Sequence, residues 1–126
     1  MKRSLKCLFA GFLAVLFVFS SSVSHIFAAS DFYESSWKGY HYIARASLSP
    51  SFARATLSHQ NSSQSLTVHI NVKYQIGTQV NNVVSHDTRN GFAGLDYSAV
   101  AGMTLISSVN RYVIGSIQVY QNALTN

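Results

Sequence analysis

A chain of 126 residues with 48% hydrophobic, 13% aromatic and 10% charged content has room for one ordinary domain, which excludes a multidomain enzyme. Nine Lys and Arg against four Asp and Glu give a formal charge of +5, the balance of a protein that meets an anionic partner. The charge is unevenly spread, because Lys2, Arg3 and Lys6 cluster at the start.

Those three cations precede an apolar run from Cys7 to Phe19, and together they predict a secretory signal over residues 1–28. Cleavage is expected after Ala28, with Ala29 and Ser24 as competing positions. Ser20, Ser21 and Ser22 end the run before the roughly 20 apolar residues that a spanning helix takes. Cys7 opens the run, whereas a lipoprotein cysteine closes its signal, so no lipid anchor is expected. Beyond residue 28 there is no cysteine, and a domain without disulfides is held by its core. The cations left there are Lys38, Arg45, Arg54, Lys73, Arg89 and Arg111, against Asp31, Glu34, Asp87 and Asp96, a net of +2. That balance removes the global case for a nucleic-acid partner.

Residues 29–36 follow the expected cleavage site and are predicted to be a flexible segment, with a single β-domain over 37–126. A short repeat comes next: Ala44 to Ser49 (ARASLS) and Ala53 to Ser58 (ARATLS). It reads as two arms of a hairpin turning through Ser49, Pro50, Ser51 and Phe52, with Leu48 opposite Ala53, Ala46 opposite Ala55 and Ala44 opposite Leu57. Slipping this register by two residues would oppose Arg45 and Arg54.

Leu66, Val68, Ile70, Val72, Tyr74 and Ile76 alternate with polar residues, the pattern of a strand with one face buried. Its length predicts a bend or bulge. A second hairpin across Asn61 to Gln64 would set Leu57 opposite Val68, Ala55 opposite Ile70 and Ala53 opposite Val72, making a three-strand meander. The small side chains in its middle invite close approach of a second layer, hence an all-β fold, a small antiparallel β-sandwich or flattened barrel of about six strands.

Further on, residues 79–85 read as a fourth strand and His86 to Gly94 as a loop with a turn at Asn90-Gly91. Leu95 to Ile106 and Arg111 to Gln121 read as a closing hairpin through Ser107 to Asn110. A helix over Ser98 to Ser108 is the alternative, disfavoured by Gly102 and by the Thr and Ile content.

Chemistry is sparse. The histidines beyond the signal, His41, His59, His69 and His86, show no ligand spacing, so neither a metal site nor a cofactor is expected. His86, Asp87 and Arg89 form the one compact polar cluster, on which a small secreted hydrolase would have to rest; Asp87 capping backbone amides is the plainer reading. No serine-nucleophile or phosphate-loop motif occurs. On the wet side of the meander the register gathers His41, Arg45, Arg54, His69 and Lys73 with no acid among them, and Tyr33 and Trp37 at the edge as interfacial aromatics.

The leading expectation is thus a secreted, non-enzymatic β-protein at the cell envelope, binding an anionic cell-wall polymer or membrane surface. Nothing in the sequence supports or opposes a homo-oligomer. In size, signal, lack of further cysteine and Ser- and Tyr-rich β pattern the chain resembles the lactococcin 972 type of bacteriocin. That resemblance implies a secreted antibacterial protein, and long amphipathic strands such as 66–76 would also suit a β-barrel pore.

Overall fold

A computed structural model of the chain describes residues 29–126; the expected signal, 1–28, lies outside the described residues. Eight strands and no helix make up that region: β1 (Ala29–Trp37), β2 (Tyr40–Leu48), β3 (Phe52–His59), β4 (Ser65–Ile76), β5 (Gln79–Asn90), β6 (Phe92–Ser98), β7 (Met103–Ile114) and β8 (Ile117–Thr125). They form two antiparallel four-stranded sheets, a first in the order β1-β2-β3-β6 and a second in the order β5-β4-β7-β8. The sheets face each other across one shared core, in which Leu48 and Leu57 of the first meet Leu66, Val68, Leu105 and Ile114 of the second.

The β2–β3 hairpin has the expected register, with Leu48 against Ala53, Ala46 against Ala55 and Ala44 against Leu57. The expected irregularity of β4 is a register shift against β7 at Lys73 and Tyr74. Residues 29–36, expected to be flexible, are instead paired along the whole of β2. Along β1, Asp31, Tyr33, Ser35 and Trp37 alternate with exposed residues, a strand pattern in which polar and aromatic side chains take the inward positions.

The second predicted hairpin is not formed. After His59 the chain crosses to the other sheet, where β4 pairs with β5 and β7, while β3 pairs with β6. Leu57 and Val68 do both point inward, but from opposite sheets rather than from neighbouring strands, since alternation fixes a residue's face and leaves its neighbour open. The return crossing is at Gly91, where φ is +77° and a Cβ would stand 2.9 Å from the Ser62 main chain. The two crossings are stitched together by His59 N–H donating to Gly91 O and Gly91 N–H donating to Gln64 O, both at 2.9 Å.

His86 to Gly94 is therefore strand on both sides of Gly91, and the closing hairpin turns at Gly115-Ser116 rather than at Ser107 to Asn110. Polar residues there read as loop, yet Ser108 and Asn110 are buried, hydrogen-bonded to each other in the middle of β7.

Candidate functional site

Parity places His41, Ile43, Arg45 and Ser47 of β2 and Arg54, Thr56 and Ser58 of β3 on the outer face of the first sheet. Phe32 of β1 pairs with Arg45, and Phe92, Gly94 and Asp96 of β6 pair with Ser58, Thr56 and Arg54, so all four share that face. The five cations expected together are split by the crossing after His59. His41, Arg45 and Arg54 stand on this sheet, while His69 and Lys73 stand on the outer face of the second.

The three cations of the first sheet have different company. Arg54 makes a bidentate pair with Asp96, at 2.7 Å from Nε and 3.1 Å from the terminal nitrogen, which holds the Asp96 carboxyl below its ordinary range. His41 Nε2 contacts the Glu34 carboxylate. Arg45 has no carboxylate partner among the described residues; its guanidinium lies over the Phe32 ring, 5.1 Å from the centroid.

Between Phe32 and Phe92, which are 54% and 52% exposed, the surface sinks into an open groove of about 730 Å³. Arg45 and Arg54 flank its floor, and Ser30, Ser47 and Thr56 add hydroxyls. A smaller depression of about 300 Å³ continues it toward Gly94 and Asp96. The floor is low because its residues are small: a Cβ at Gly94 would sit 3.1 Å from Thr56 Cγ2 and 3.4 Å from Phe92 Cε1. The groove runs across the strands; Arg54 is paired with Asp96 and the Asp31 carboxylate is taken by Tyr120 and Asn122, which leaves Arg45 as the guanidinium in it without a carboxylate.

Tyr33 and Trp37 are not at the edge of this face. Both point inward against the core, and Tyr33 stacks on Tyr120 of β8 with centroids 4.0 Å apart and planes 2° from parallel. The aromatics that do frame the groove, Phe32 and Phe92, lie in segments expected to be a flexible arm and a loop. A two-residue turn at Lys38-Gly39 sets Trp37 opposite Tyr40, and alternation back from Trp37 puts Phe32 on the outer face.

Beneath the groove runs a polar seam. Asp31 Oδ2 accepts from Tyr120 Oη at 2.6 Å and from Asn122 Nδ2 at 3.0 Å. Asn110 Nδ2 donates to Asn122 Oδ1 at 2.8 Å, and Tyr112 Oη donates to the Arg45 carbonyl at 3.0 Å. The Tyr120 hydrogen bond, more than the others, holds the Asp31 carboxyl below its ordinary range. The same bond pushes the Tyr120 phenol up to about 12. Burial raises Tyr112 as well. The main chain that carries Arg45 is thereby tied to the opposite sheet.

On the second sheet's outer face, His86, His69 and Arg111 form one cross-strand row, with the two imidazoles 5.8 Å apart. Burial, then the charge of Arg111 and then His86, lower the His69 pKa. His86 and Asp87 point to opposite faces of β5, and Asp87 Oδ2 accepts the Gly94 N–H at 3.0 Å. His59, near the end of β3, is buried, with Nδ1 accepting the Asn61 N–H at 3.0 Å.

No family model matches the chain, and no curated protein or solved structure does.

Proposed function

We propose that the chain is an exported, non-enzymatic β-sandwich that binds an anionic polymer of the cell envelope in the groove of its first sheet. The observation that carries this reading is the groove between Phe32 and Phe92 with the Arg45 guanidinium in it. A guanidinium already over an aromatic ring is weakly hydrated and offers its N–H fork to a phosphate or carboxylate. The trough shape favours a polymer chain over a membrane surface, because a membrane would be met by apolar tips in one plane. Export is supported by Lys2, Arg3, Lys6 and the apolar run of 7–19.

The parity of the β4–β5 hairpin weighs against a pore. Asp87 and Arg89 fall on the same side as Leu66 and Val68, so that side would bring charge into lipid. A hydrolase built on His86, Asp87 and Arg89 has less support still, since the first two diverge.

Co-sedimentation with isolated cell walls tests the proposal, using walls before and after extraction of their phosphodiester polymers, and phosphatidylglycerol vesicles alongside. Binding to intact walls only, at least about tenfold weaker for Arg45→Glu and unchanged for Lys73→Glu on the opposite sheet, is the expected result. Equal binding by Arg45→Glu, or preference for vesicles, overturns it.

A further inference from the structure

The four sheet edges are not alike. β6 spans seven residues and its Gly94 amide is occupied by Asp87. β1 carries an inward-pointing Asp31, and β8 sits against a register break at Tyr112 and Val113. Each of these is a device that discourages strand addition. β5 also turns charges inward, Asp87 and Arg89, but only toward its far end: twelve residues pair with β4 without a break, the stretch 79–85 (QVNNVVS) has no charge or proline, and Val80 and Val84 are exposed at 52% and 68%.

The phase of the ladder shows which main-chain groups this edge offers. Gly77 and Thr78 form a two-residue loop with φ +60° at Gly77 and no positive φ at Thr78, a type II′ turn. Such a loop makes Ile76 and Gln79 a hydrogen-bonded pair, and alternation then turns the odd-numbered residues of β5 toward β4. The N–H and C=O groups of Val80, Asn82, Val84, His86 and Thr88 point out from the edge.

We propose that two copies of this chain associate through β5, antiparallel, about a two-fold axis at Val84 and perpendicular to the second sheet. In this register Val80, Asn82, Val84, His86 and Thr88 all fall in hydrogen-bonded pairs, giving about ten main-chain bonds, and Asn90 extends past the pairing. Val84 meets Val84 of the second copy on the axis, Val80 meets Thr88 and Asn82 meets His86. On the inner side Asp87 meets Asn81 and Arg89 meets Gln79, so no like charges oppose and each charge faces an amide side chain. Moving the axis to Asn82 shortens the pairing to 79–85, and moving it to His86 sets that histidine against itself. With the axis perpendicular to the sheet, both first sheets lie on the same side and the two grooves open in one direction. The pairing itself does not depend on what the groove binds.

Sedimentation velocity on the purified protein over a concentration series is the test. The expected result is a concentration-dependent dimer that Val84→Lys weakens at least about tenfold by placing two ammonium groups on the axis. In a Cys7→Ser background, Val84→Cys places thiols at a Cα separation of about 5.5 Å and links under mild oxidation, whereas Val80→Cys, opposite Thr88, does not. If Val84→Lys fails to fold by circular dichroism, the two cysteine variants decide. A monomer at the highest soluble concentration, a dimer indifferent to Val84→Lys, or equal linking at 80 and 84 overturns the proposal. Wall binding by a monomer would leave the groove reading intact, so the two proposals fail separately.

Discussion

The half of the interior between β3 and β4 and the half between β1 and β8 are held by different forces. In the first, Ala53, Ala55 and Leu57 face Leu66, Val68, Ile70 and Val72, all at or near zero exposure with no polar side chain among them. Small residues on one sheet let branched residues of the other approach closely, so this half is stabilised by apolar burial and dispersion. In the second, Asp31, Tyr120, Asn122, Tyr112 and Asn110 form a chain of hydrogen bonds from one sheet to the other. Burial is non-directional and tolerates sliding, whereas hydrogen bonds fix one alignment. The apolar half supplies most of the stability, and the seam sets how the sheets sit on each other, including the main chain of Arg45.

The largest way to break this contrast is Leu57→Ala. Leu57 is fully buried at the centre of the apolar half, and its truncation should cost about 2–5 kcal/mol in urea unfolding. If the loss is under about 1 kcal/mol, the apolar half is not what holds the sheets together.

Asp31→Ala should cost less, about 1–3 kcal/mol, by leaving Tyr120 and Asn122 donors without their acceptor. It also changes the pH dependence. The folded-state Asp31 carboxyl is held below its ordinary value, so its contribution is full above the unfolded carboxylate range and is lost as pH falls through the folded value. Acid unfolding of the variant should therefore be shallower than that of the parent below about pH 4. The opposite end of the scale reads Tyr120. Its phenol is pushed up to about 12, so its contribution is full below the ordinary tyrosine value and disappears as pH rises to about 12. Tyr120→Phe should cost about 1 kcal/mol and remove that part of the alkaline transition, followed by phenolate absorbance.

The apolar half was far more legible in the sequence than the seam. Alternation in 66–76 and the twin alanine arms identify inward residues without any knowledge of pairing, and the β2–β3 register follows from them. The seam hides because its inward positions are Asp31, Asn110 and Asn122, residue types that read as turn or loop until their partners on another strand are known. The groove was half legible for a related reason. Arg45 and Arg54 follow from the hairpin, but which strand flanks β3 depends on a sheet crossing that periodicity does not encode; alternation alone therefore places Lys73 and His69 beside them and gives no sign of Phe92.

The smallest expected effect on stability separates the surface from both halves of the interior. Arg54 and Asp96 pair with bidentate geometry, yet each side chain is 53% exposed, and water screens what the contact contributes. Asp96→Asn should therefore shift unfolding by less than about 1 kcal/mol, well below Leu57→Ala or Asp31→Ala. Its effect on the groove should be larger in proportion. Removing the carboxylate releases the Arg54 guanidinium to stand beside Arg45, which raises the positive charge facing a polyanion without changing the floor. Tighter wall binding with a steeper loss in salt is the expected outcome for Asp96→Asn. If binding weakens instead, Asp96 itself contacts the ligand, and the groove recognises something other than a chain of negative charges.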